Sequence, residues 1–257
     1  MVAMVESTAS LETPEGPMDV ACVVPAGAPQ ARFPAVIVLQ EAFGVNAHIR
    51  RVCRRLAGAG YAAFAPELFH RTGRAIEFGY DEFPRIRPIL AGLTNERILG
   101  DLEATHRHLL KHPSVDPRRI AVWGFCMGGW ASVLAAAGLP IAAAVSFYGG
   151  GLVRAREGIG FTPLLGRLES IRCPVLLVFG GKDASIPAPD IDAVRSRLAE
   201  LGKAHEVEIY PEAGHGFFCE DRGAYHEASA RAAWARATEW LAAALGGASG
   251  APSASSP

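Results

Sequence analysis

Three residues of this chain have the types that nucleophilic acyl transfer needs: Cys126, Asp183 and His215. A thiol needs a base or a depressed pKa to become a nucleophile at neutral pH. Imidazole can take that proton and later deliver one to the leaving group. A carboxylate behind the imidazole fixes its tautomer and stabilises its cation. Cys126 centres Gly124-Phe125-Cys126-Met127-Gly128. The apolar run Ile120-Ala121-Val122-Trp123 precedes it, and residues 129–137 read as a helix ending at Gly138. Strand, tight turn and helix would lift the central side chain above a sheet, over the positive end of the helix. Such a strained turn requires small neighbours, here Gly124 and Gly128. Asp183 follows the buried strand read at Val175-Leu176-Leu177-Val178-Phe179, and His215 lies in the loop after Val207-Glu208-Ile209-Tyr210. Singly, these are a structural cysteine, a turn-forming aspartate and a loop histidine. Together, each past a strand's C-terminal end, they read as one triad.

The order nucleophile, acid, base is that of α/β-hydrolases, with Cys in the usual place of Ser. Four pieces carry a closer likeness: Gln40-Glu41-Ala42-Phe43-Gly44-Val45-Asn46, Gly124-Phe125-Cys126-Met127-Gly128-Gly129, Gly180-Gly181-Lys182-Asp183 and Glu212-Ala213-Gly214-His215-Gly216-Phe217. Through them the chain resembles the dienelactone hydrolase (carboxymethylenebutenolidase) family. The resemblance implies one α/β-hydrolase domain that hydrolyses a small lactone or ester without cofactor or metal, using Cys126, Asp183 and His215. Glu41 matches the family's extra carboxylate, which there accepts the thiol proton as substrate binds, leaving the resting thiol largely neutral. The loop after the strand at 35–39 supplies the second oxyanion donor in this fold, so the backbone N–H groups of Met127 and Ala42 are the expected oxyanion hole.

The chain departs from the family where substrate is chosen. That family holds its substrate's carboxylate with two arginines, one of them four residues after the catalytic His. Here that position is Cys219, and the residue directly after the His, often Ser, is Gly216. The candidates for the carboxylate site are Arg74, Arg85, Arg87 and Arg222. A general carboxylesterase or thioesterase is the alternative reading. A catalytically silent fold serving as a binding module is another, against which the complete triad and Glu41 weigh.

The elements that must position these residues alternate along the chain. Strands are expected over 4–12, 18–24, 35–39, 61–65, 120–123, 141–148, 173–180 and 207–210. Helices are expected from Ala47 with Asn46 as N-cap, then over 95–112, 129–137, 190–201 and 223–245. Residues 66–94 read as an irregular lid or pocket wall. The pattern implies a mostly parallel sheet covered on both faces, in one domain over 1–245 with a disordered tail at 246–257. Half of the 257 residues are hydrophobic and the net charge is -1, enough for a sizeable core and no case for nucleic acid. No apolar run approaches a membrane span, and residues 1–7 lack the features of a secretory signal. Five cysteines without small-scaffold spacing read as reduced thiols in a cytoplasm. His106, His108 and His112 share a helix but lack a metal motif. A monomer or small homo-oligomer acting on a small molecule is expected.

Overall fold

The computed structural model describes residues 3–246 except 29; the expected tail lies, from 247 on, outside the described residues. Eight strands form one sheet in the order β1-β2-β4-β3-β5-β6-β7-β8. β1 (Met4–Thr13) and β2 (Gly16–Pro25) make an antiparallel hairpin, and β2 runs antiparallel to β4 (Ala62–Pro66). β3 (Phe33–Leu39), β5 (Val115–Phe125), β6 (Ala143–Phe147), β7 (Val175–Gly180) and β8 (His205–Tyr210) continue from β4 in parallel. Every residue of β4, β6 and β7 is buried, as expected of a sheet covered on both faces.

The covering follows from handedness. α1 (Ala47–Gly58) joins β3 to β4 in one lateral direction, and α3 (Asn95–Lys111) joins β4 to β5 in the other. Right-handed crossovers therefore place them on opposite faces. α6 (Glu227–Ala244) lies beside α1, with the Arg55 guanidinium 4.0 Å from the Trp234 ring centre. α4 (Met127–Gly138) packs with α3, and α5 (Ala188–Glu200) lies between β7 and β8 in the chain. Asn46 caps α1, its side chain accepting from the Ile49 N–H.

Several element ends shift by a few residues, β5 starting at Val115 rather than 120, and three larger differences stand out. The segment 66–94 contains a helix, α2 (Phe83–Gly92), which Pro84 and Pro88 obscure. Pro84 sits in the first turn, where no N–H is needed, so only Pro88 interrupts the ladder. α6 begins at Glu227, capped by the His226 side chain, rather than at 223. A short 3-10 helix, Leu165–Ser170, was not expected. His108 on α3 and its C-cap His112 meet edge to face, ring centres 5.7 Å apart, and both meet Phe64. No helix among the described residues is long and apolar enough to cross a membrane.

Candidate active site

The turn from β5 to α4 is held by backbone bonds from both neighbours of β5. The Cys126 N–H donates to the Phe147 carbonyl and the Gly128 N–H to the Gln40 carbonyl, each at 3.0 Å. Cys126 has φ 54° and ψ −113°, a conformation costly for any side chain. The glycines are required by contact: a Cβ on Gly124 would lie 1.9 Å from the Gly128 carbonyl oxygen, and one on Gly128 would lie 2.4 Å from that of Leu39. This places the Cys126 sulfur at the N-terminus of α4 with only partial burial.

His215 meets it there. His215 Nε2 is 3.2 Å from Cys126 Sγ, and Nδ1 is 2.7 Å from Asp183 Oδ2. The other Asp183 oxygen accepts from the Ser185 backbone N–H at 2.9 Å and from its hydroxyl at 2.6 Å. Burial opposes ionisation of Asp183, yet the His215 and Ser185 hydrogen bonds hold its pKa below the usual value. Burial likewise opposes a charged His215 ring, but the charge of the Cys126 sulfur and Asp183 outweigh it and push the ring up to about 10. Among the described residues no protein acceptor takes the N–H of Met127 or Ala42. Both residues line the same cavity as Cys126 and His215.

Glu41 is 1% exposed, and its carboxylate Oε1 accepts from Arg222 Nη1 at 3.1 Å. Burial raises its pKa, although Arg222 and His215 act to lower it. Tyr148, buried with φ 40°, faces the His215 ring and approaches Glu41, but neither its hydroxyl nor Glu41 Oε2 completes a hydrogen bond. Cys126 is bonded to His215 and not to Glu41.

A cavity of about 400 Å3 opens over Cys126. Tyr80, Phe83 and Leu90 from the 66–94 segment wall it with Phe43, Ile159 and Phe161, and two cations face it, Arg222 and Arg156. Trp130 packs behind Phe161, and Trp123 stacks on Phe147, so neither reaches the cavity. The four arginine candidates separate. Arg74 is exposed and paired with Asp19, Arg85 with Glu82, and Arg87 lies 3.8 Å from Glu157; none of these three lines the cavity. Arg222 does, with its guanidinium over the Phe43 and Tyr80 rings at 5.4 and 5.7 Å. Its position explains Gly216. That residue has φ +76°, and a Cβ on it would lie 2.1 Å from Arg222 Nη1. A serine after the histidine would occupy the space this guanidinium uses.

Sequence reasoning missed Arg156. It lies in the irregular segment after β6, where no periodicity marks it. Its Nη2 donates to the Ser185 carbonyl at 2.6 Å, and it has no carboxylate partner among the described residues.

An eight-stranded, mostly parallel sheet of this order, with a strained strand-to-helix turn at Cys126 after β5 and the Asp183 and His215 loops after later strands, is that of an α/β-hydrolase. Residues 18–245 match the sequence profile of the dienelactone hydrolase family, and the chain belongs to that family. It is 37% identical over 205 residues to a Synechocystis sp. protein named "Putative carboxymethylenebutenolidase", covering 79% of this chain and 83% of that one. A Bradyrhizobium sp. protein named "Probable 2-oxo-3-(5-oxofuran-2-ylidene)propanoate lactonase" is 31% identical over 205 residues, 79% of this chain and 81% of that one. The crystal structure titled "Putative Dienelactone Hydrolase" from Klebsiella pneumoniae superposes with a TM-score of 0.85 at 35% identity, over 93% of this chain and 99% of that one. The protein is a hydrolase of the class that acts on esters and lactones.

Proposed function

We propose that the protein hydrolyses a small lactone or ester by a cysteine-dependent route, with a carboxylate-bearing lactone as its preferred substrate class. The observation that carries this reading is the continuous contact Asp183–His215–Cys126, at 2.7 and 3.2 Å, whose Cys126 and His215 line the cavity. His215 Nε2, 3.2 Å from Cys126 Sγ, is placed to take the thiol proton. In the resting site Arg222 engages the Glu41 carboxylate, so Glu41 is not yet available to the thiol. Cys126 Sγ attacks the carbonyl carbon. The Met127 and Ala42 N–H groups receive the oxyanion, donors worth about 3–4 kcal/mol each where they act. His215 protonates the departing oxygen and then activates a water that hydrolyses the thioester.

Arg222 and Arg156 supply the charge that a buried substrate carboxylate needs. If the substrate draws Arg222 away, Glu41 is left buried without its partner and its proton affinity rises. It is then suited to hold a proton beside Cys126 and Tyr148. The Bradyrhizobium relative's name describes a lactone bearing an oxo acid, consistent with this substrate class. The test compares hydrolysis of a dienelactone with that of neutral short-chain esters, with and without prior thiol alkylation. The reading expects both activities to vanish on alkylation and the acid to be preferred. Hydrolysis that survives complete alkylation of Cys126 refutes it.

A further inference from the structure

We propose that Glu41, His48 and Cys219 form a site for a borderline-soft divalent cation, with Zn2+ as the probe, whose occupancy stops hydrolysis by engaging Glu41. The inhibitory half rests on the role of Glu41 proposed above; the binding half does not. The three residues come from the loop after β3, the first turn of α1 and the loop after His215. One donor atom from each lies within 4.8 Å of the other two, and all three residues are buried. Two buried polar atoms here are unpaired, Glu41 Oε2 and His48 Nε2. Buried polar atoms are nearly always hydrogen-bonded, so two such atoms from different elements in one cluster mark a place that a ligand would satisfy.

Carboxylate, imidazole and thiolate are zinc's own ligand types, and the thiolate disfavours magnesium and calcium. Tetrahedral zinc with bonds of about 2.0–2.3 Å sets its donors about 3.5 Å apart, so closure needs about 1 Å of side-chain movement. Binding breaks the Cys219 S–H bond, forms a zinc–sulfur bond and releases one proton to solvent. The thiolate and Glu41 then balance the metal's charge, and water completes the coordination. Arg222 occupies only Oε1 of Glu41 and can remain as the carboxylate's outer partner. The Tyr80 hydroxyl, 3.1 Å from Cys219 Sγ, is placed to donate to the ligated sulfur. His48 lines a separate surface cavity of about 200 Å3, where Arg51, Arg54 and Arg55 are each engaged by an acidic side chain.

The test is calorimetric titration of Zn2+ into full-length Cys126→Ala protein, which lacks the competing thiol. One equivalent should bind. Affinity should fall at least tenfold when Cys219→Ser or His48→Phe is added. Serine keeps a hydroxyl for Tyr80, and phenylalanine suits a position already between the Phe125 and Phe218 rings; circular dichroism checks both folds. In protein with Cys126 intact, Zn2+ should inhibit ester hydrolysis, and either substitution should raise the inhibitory concentration at least tenfold. No binding to Cys126→Ala, or binding untouched by both substitutions, overturns the site. Binding at the site that leaves hydrolysis unimpaired overturns the inhibitory half. If Glu41→Gln is fully active yet Zn2+ still binds through His48 and Cys219, the site stands and the role of Glu41 fails.

Discussion

Replacing Arg222 by Met should destabilise the protein, and Glu41→Gln should relieve most of that loss. Glu41 is 1% exposed and the Arg222 side chain 20% exposed. Removing one partner of a fully buried pair costs about 3–5 kcal/mol, and the partial exposure of Arg222 moves the expectation to about 2–3 kcal/mol. Methionine keeps the apolar stem against Phe43 and Tyr80 but loses the cation–π contact, within the same range. For a domain of this size that is a fall in Tm of about 4–12 °C. The deficit should depend on pH. Glu41 already has a raised pKa, and losing Arg222 raises it further. A carboxyl whose folded pKa lies above its unfolded value binds more protons when folded, so stability falls as pH rises from the unfolded value of 4.5 to the folded one. The Arg222→Met deficit should therefore be smaller at pH 5 than at pH 8. The assay is urea unfolding of wild type, both single variants and the double variant at the two pH values. In Arg222→Met/Glu41→Gln no buried charge is left unpaired, and a coupling of about 1–2 kcal/mol should appear. Additive losses, or an Arg222→Met deficit equal at pH 5 and pH 8, would refute a functional tie between these side chains.

Other outcomes follow from the same geometry. Asp183→Asn should lower kcat by about 10^4 with little loss of fold, as expected when the histidine loses its orienting acid; a drop under tenfold would argue against that role. Arg156→Ala and Arg222→Ala should each cut the kcat/KM ratio of a carboxylate-bearing lactone to its methyl ester by about tenfold, a change of about 1.4 kcal/mol. Arg74→Ala, Arg85→Ala and Arg87→Ala should leave that ratio alone, and a preference that survives all five would place the carboxylate elsewhere. Gly216→Ser should raise KM for the acid by displacing Arg222, and an unchanged KM would show that the guanidinium does not need that space.

The parts of this structure legible in the sequence are those with short-range causes. Buried strands show as apolar runs, Asn46 as a cap, and the strained turn at Cys126 as a cysteine flanked by two glycines that contact requires. Asp183 and His215 could be placed because each follows a recognisable strand, so the fold brings them together whatever lies between. α2 was hidden because Pro88 looks like a terminator, although the helix continues past it. Arg156 was hidden because its place in the cavity wall comes from a loop's path, which no periodicity marks. Arg222 could be nominated, but not separated from Arg74, Arg85 and Arg87. Their difference lies in which acids stand nearby in space, Asp19, Glu82 and Glu157 at the surface against buried Glu41. Gly216 and Cys219 read as departures from the family pattern. In the structure the first makes room for a guanidinium supplied from three residues beyond the second.

The most direct test of the central claim is kcat/KM of Cys126→Ala for a dienelactone and a short chromogenic ester, measured on protein with unchanged circular dichroism. The account predicts a loss of at least about 10^3, or about 4 kcal/mol of transition-state stabilisation, for both substrates. It also predicts that Cys126→Ser retains only a weak rate, because a hydroxyl needs a stronger base than this site supplies. A Cys126→Ala protein that hydrolyses either substrate near the wild-type rate would contradict the claim that this sulfur performs the attack.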